Sequence, residues 1–179
     1  MKRFLVGLTV AAVAAIGFGS VAASASPTKL QTFGTAAVTG VDSATIVNGV
    51  GEYGGVYINS KSQGAKPLNA VGFSFVSTGD VAGGAPRFSI PIDTDGVGST
   101  VEGYAFLDAA GCGGVSGGTT TVSTTLETCK VSFNSPDYNY ANWAAFAAAN
   151  PTYRTAPGAI PFIIADAAGS YAVSSIDLR

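Results

Sequence analysis

The chain has 179 residues, 11 of them acidic and 9 basic, with no histidine, 24 glycines and a charged fraction of only 11%. Without histidine, Ser-His-Asp and Cys-His catalysis are excluded, and without a basic excess a phosphate-binding nucleic-acid surface is excluded too. So few charges leave Ser, Thr, Asn and Gly to carry the surface, a composition at home in exported β proteins.

Met1, Lys2 and Arg3 open the chain, an apolar run follows from Phe4 to about Phe18, and Ala23-Ser24-Ala25 matches an A-x-A exit. This predicts a signal peptide over residues 1–25, cleaved after Ala25. The apolar run is short for a retained membrane anchor of roughly 20 residues, so no membrane span is expected after cleavage. The mature part, residues 26–179, has the size of one domain. Removing Lys2 and Arg3 leaves 7 basic and 11 acidic residues, a net charge of −4. Cys112 and Cys129 are the only cysteines. In an oxidising compartment they are expected to form a disulfide, closing a loop worth roughly 3 kcal/mol in the chain-entropy account.

Short strands are predicted at Thr28–Phe33, Ala36–Val41, Ala44–Val47 and Gly55–Asn59, separated by turns such as Asn48-Gly49. The stretch from Val71 to Leu107 carries the strongest alternation. Val71, Phe73 and Phe75 share one face; Phe88, Ile90 and Ile92 share another; Tyr104 and Phe106 oppose Ala105 and Leu107. These segments are expected to be neighbouring strands at the centre of one antiparallel sheet. Pro91 cannot donate to a ladder, so its strand should be an edge or a bulge at that point.

Thr120–Thr125 and the alternating Cys129, Val131 and Phe133 predict two further strands. One helix is expected from Ser135 to Asn150, with Ser135 as N-cap, Pro136 at the first position and Pro151 blocking continuation. Ile160–Ala165 and Tyr171–Leu178 close the chain as strands. About nine strands and one short helix predict an all-β, two-sheet antiparallel β-sandwich. A jelly roll is the first choice and an immunoglobulin-like Greek key the second.

The run GGAPRFSIPIDTDG, with GYAFLDAAGC and YANWAAFAAANPTYR, resembles a group of uncharacterised secreted proteins of actinobacterial type. That resemblance covers roughly residues 45–179 and brings no activity with it. The closing SYAVSSIDLR is similar to the last strand of jelly-roll carbohydrate-binding modules, over about ten residues.

Only carboxylates remain as acid–base candidates. Glu102 and Asp108 bracket one strand and stand about 20 Å apart, too far for a glycosidase pair. Asp93-Thr94-Asp95-Gly96 opens like a calcium loop, with Gly98 at the sixth position and Glu102 as a further oxygen donor. Val97 and Tyr104 stand where such a loop has donors, and the other reading is a turn capped by its aspartates. Arg87 is a candidate ligand-binding guanidinium or an ion-pair partner. Tyr138, Tyr140, Trp143 and Tyr53 are candidate stacking platforms for sugars, against the reading that Trp143 pins the helix. The expectation is a secreted, non-enzymatic module that binds an extracellular glycan or cell-wall component, with no cofactor unless the acidic loop holds calcium. The alternatives are a structural protein of the cell envelope and, third, a carboxylate-dependent glycan hydrolase.

Overall fold

The structure is a computed structural model and describes residues 29–59, 64–97 and 100–179. The expected leader over residues 1–25, and the turn position at Gly98, lie outside the described residues. Among the described residues twelve strands and one α-helix follow one another as β1 (Lys29–Gly34), β2 (Ala36–Gly40), β3 (Ser43–Asn48), β4 (Gly54–Asn59), β5 (Phe73–Gly79), β6 (Arg87–Asp93), β7 (Gly103–Asp108), β8 (Gly118–Ser123), β9 (Ser132–Phe133), α1 (Trp143–Ala149), β10 (Arg154–Thr155), β11 (Phe162–Ala165) and β12 (Gly169–Leu178). The larger sheet has the order β1-β4-β11-β6-β7-β9, with β10 beside β6; the smaller has the order β2-β3-β12-β5-β8.

Eight of these strands form four nested antiparallel pairs. β6 pairs with β7, β5 with β8, β4 with β11 and β3 with β12, and successive pairs alternate between the two sheets. That nesting is a jelly roll, the first of the two sandwich topologies the sequence suggested. β9, α1 and β10 form an excursion between the eighth and eleventh strands, and β1 and β2 extend the two sheets at one side.

The stretch Val71–Leu107 is divided differently from the expectation. β6 and β7 are neighbours, but β5 lies in the opposite sheet, and the Phe73 and Phe88 rings stack face to face between the sheets. Period-two alternation reports that one face is buried, not whether the partner strand lies beside it or across from it. Pro91 behaves as expected. Its flank of β6 is vacated between Ser89, where β11 ends its pairing, and Ile92, where β10 begins, so the missing N–H faces no strand. The Pro91 carbonyl on that flank accepts from Ala156 N at 2.9 Å.

The core joins Phe75, Phe88, Ile90, Leu107, Val122 and Ile163, all 0–1% exposed. The disulfide between Cys112 and Cys129 forms as expected, and Cys129 is fully buried. Cys129 itself sits in a turn closed on Leu126 O, so β9 is only two residues long.

The helix is much shorter than the predicted Ser135–Asn150. Val131 and Tyr140 exchange both backbone hydrogen bonds at 3.0 Å, which holds the segment before Asn142 extended. Ser135 Oγ caps a local turn by accepting from Asp137 N at 3.1 Å. The true N-cap is Asn142, whose Oδ1 accepts from Ala145 N at 2.8 Å. Trp143 and Phe146, three residues apart, bury the inner face of α1. Among the described residues no helix is long and apolar enough to cross a membrane.

Candidate functional site

The outer face of the larger sheet is unusual for its side chains. Inward positions are taken by Val56, Ile163, Phe88, Ile90, Ala105 and Leu107, all buried. Alternation then sends Tyr57, Phe162, Tyr104 and Phe106 outward, where each is half-buried. Cross-strand register aligns them: Gln31 opposes Tyr57, Tyr57 opposes Phe162, Phe162 opposes Ser89, and Ser89 opposes Phe106. One row therefore runs at right angles to the strands from β1 to β7. With strands about 4.8 Å apart, that row covers roughly 20 Å.

The rings are in mutual contact along the row. Phe33 lies 4.7 Å from Tyr57, Tyr57 5.9 Å from Phe162, Phe162 5.9 Å from Tyr104 and Tyr104 6.2 Å from Phe106, centroid to centroid. Tyr53, 57% exposed, extends the row at 6.4 Å from Phe33. These separations and tilts are those of favourable edge-to-face and offset contacts. Gly55 makes the arrangement possible, because a Cβ there would stand 2.5 Å from Phe33 Cζ. Of the residues singled out from sequence, Tyr53 begins this row and Arg87 ends it.

Arg87 is the ion-pair partner that one of the two readings expected. Its guanidinium holds Asp166 with two hydrogen bonds of 2.7 and 2.6 Å and lies 5.5 Å from the Phe106 ring centre. Past Phe106 opens a cleft of about 420 Å³ bordered by Gly84, Asp108, Ser132 and Asn134. Asp108 Oδ1 accepts from Gly111 N and from the Tyr138 hydroxyl, both at 2.7 Å. Burial, followed by that bond to Asp108, raises the Tyr138 phenol well above its ordinary value and keeps it protonated as a donor. Asp108 is the one carboxylate among the described residues bordering this cleft, so no acid–base pair faces across it.

The helix-side candidates are placed elsewhere. Trp143 is 4% exposed and donates its indole N–H to Leu68 O at 2.8 Å, so it pins α1. Tyr140 leans on Phe146 at 4.9 Å and its hydroxyl accepts from Asn150 Nδ2 at 3.3 Å. Tyr138, 39% exposed, covers Gly111 beside the disulfide and lies 5.7 Å below the Lys130 ammonium. None of these three joins the aromatic row.

Asp93, Asp95 and Glu102 do come together, with one oxygen of each within 4.8 Å of the others. Such oxygens suit a hard cation. Each carboxylate also has a backbone partner. Asp93 Oδ1 accepts from Gly96 N at 2.7 Å, Asp95 Oδ1 from Val97 N at 2.9 Å, and Glu102 Oε2 from the Thr94 hydroxyl and from Thr94 N. Those bonds hold the Glu102 carboxyl below its ordinary value, the hydroxyl contributing most. The loop has the hydrogen bonding of a capped turn.

Sequence reasoning missed Phe33, Tyr57, Phe162, Tyr104 and Phe106 as a group. Their signal was present, since each stands at an outward position of an alternating strand, but only the register brings them together. No protein-family model matches the chain, and no curated protein or solved structure is significantly similar to it.

Proposed function

We propose that this jelly roll is an exported glycan-binding module and that the glycan lies across the strands on the outer face of the larger sheet. The observation that carries this reading is the continuous row of half-exposed rings from Tyr53 to Phe106. The apolar faces of pyranose rings pack on aromatic side chains, while polar groups at the margin orient the hydroxyls. The margin here holds the phenols of Tyr53, Tyr57 and Tyr104, together with Gln31 and the cleft beyond Phe106. A leader of signal-peptide type and a disulfide fit action outside the cell.

The test is a pull-down of residues 26–179 on insoluble polysaccharides and isolated cell walls, with the Tyr57→Ala and Phe106→Ala variants in parallel. The wild type is expected in the bound fraction and both variants are expected to be depleted from it. Wild type that stays in the supernatant on every matrix would sink the reading and favour a structural protein of the envelope.

A further inference from the structure

Two side-chain oxygens among the described residues are buried with no hydrogen-bond partner, Ser77 Oγ and Ser89 Oγ. They sit in different places. Ser77 follows Phe75 on the inward face of β5, between Val173 and Thr120, inside the sandwich. Ser89 lies between the inward residues Phe88 and Ile90, so it points outward into the aromatic row. Its neighbours in the row are Phe162 on one side and Phe106 on the other, with the Tyr104 ring in contact with both, and Ser89 is fully buried.

A polar oxygen hidden under rings on an outer face is costly to the fold, because desolvation is not offset by a partner. Alanine at this position would cover the same strand without that cost. A bound molecule with a hydroxyl would supply the missing partner. The covering rings are themselves half-exposed, and side chains of that kind change rotamer within nanoseconds.

Resting on the glycan reading above, we propose that Ser89 is the hydrogen-bonding anchor of the row and that the face takes an uncharged sugar chain. A pyranose stacked on Phe162 and Phe106 directs one hydroxyl between the rings to Ser89 Oγ. The charge of the surroundings selects the ligand class. The middle of the row, Tyr57, Phe162, Ser89 and Phe106, carries no charged side chain, and at its Phe106 end Arg87 is already neutralised by Asp166 while Asp108 adds a carboxylate, so that end is net acidic and disfavours anionic polymers. Lys29 stands away from it, at the far end of edge strand β1.

The experiment is titration calorimetry of the mature protein with a soluble neutral β-glucan and with N-acetylglucosamine oligomers, using polygalacturonate as the anionic probe. Ser89→Ala is expected to weaken binding of the neutral probe about tenfold, equivalent to roughly 1.4 kcal/mol, while its unfolding midpoint stays level or rises. Ser77→Ala is the control. It removes the other unpartnered hydroxyl and is expected to change stability in the same direction with no effect on affinity.

Unchanged affinity in Ser89→Ala, with binding still weakened in Phe162→Ala, would overturn the anchor and leave the glycan reading standing. A fall in the Ser89→Ala midpoint would also overturn it, since the hydroxyl would then serve the fold. Binding of polygalacturonate alone would overturn the uncharged class. No binding of any probe by the wild type would overturn the glycan reading together with this inference.

Discussion

Truncating Phe162 to alanine strikes the aromatic row at a ring that takes part in half of its contacts. The ring meets Phe33 at 6.1 Å, Tyr57 at 5.9 Å and Tyr104 at 5.9 Å, from a half-buried position on β11. A fully buried phenylalanine costs roughly 3–5 kcal/mol on truncation to alanine, and a half-exposed ring that leaves no closed cavity should cost about half, ~2 kcal/mol. For a domain of this size each kcal/mol moves the thermal midpoint by about 2–4 °C, so Phe162→Ala should melt about 4–8 °C lower. The same change removes the central stacking surface, worth roughly 1 kcal/mol, or about a five-fold loss in affinity for a soluble polysaccharide. Differential scanning calorimetry and affinity electrophoresis read the two effects separately, at a temperature where the variant is fully folded. A midpoint that falls as calculated with mobility in the polysaccharide gel unchanged from wild type would refute the binding role, leaving the ring as packing alone.

Further outcomes follow from the same structure. Replacing Cys112 and Cys129 together by serine reopens a loop of sequence separation 17 and should cost about 3 kcal/mol, measured by urea unfolding; a loss below about 1 kcal/mol would mean the turn at Cys129 holds without the bridge. Because the Tyr138 phenol titrates above its ordinary value near 10, its contribution to stability should be complete below about pH 10 and lost as pH rises beyond it. Tyr138→Phe should flatten that alkaline decline, and a decline of unchanged steepness would point to Tyr171, whose phenol is also raised, as the sole cause. The carboxylates of Asp93, Asp95 and Glu102 already cap backbone or hydroxyl donors, so the thermal midpoint should be equal in chelator and in millimolar calcium. A higher midpoint in calcium would make the loop a metal site.

Much of the fold was legible because alternation was strong where one face is buried. Phe88, Ile90 and Ile92 read as a strand from spacing alone, as did Phe73 and Phe75, and the glycine-rich joints marked their ends. What spacing could not supply was the partner of each strand. β5 alternates as β6 does, yet it lies across the core from β6 and not beside it, with the Phe73 ring stacked on Phe88 from the facing sheet. The helix was overextended because Ser135 and Pro136 carry start chemistry that a local turn also uses, while the pairing of Tyr140 with Val131 is set by tertiary structure. The candidate site was half legible. Tyr53 and Arg87 were singled out as isolated residues, and both lie at ends of the aromatic row. The row itself joins β1, β4, β11 and β7, which are far apart in sequence and become neighbours only through the nested pairing. Ser89 gave no signal at all, since a serine at an outward strand position is ordinary until the rings beside it are known to cover it.

We propose that the outer face of the larger sheet, and no other surface, receives the glycan. Nuclear magnetic resonance of the isotope-labelled mature protein, titrated with a neutral oligosaccharide, tests it residue by residue. Shifts confined to Phe33, Tyr57, Ser89, Tyr104, Phe106 and Phe162 and their immediate neighbours are the predicted result. Shifts centred on helix α1 around Trp143 and Ala147, or on the outer face of the smaller sheet, would contradict it.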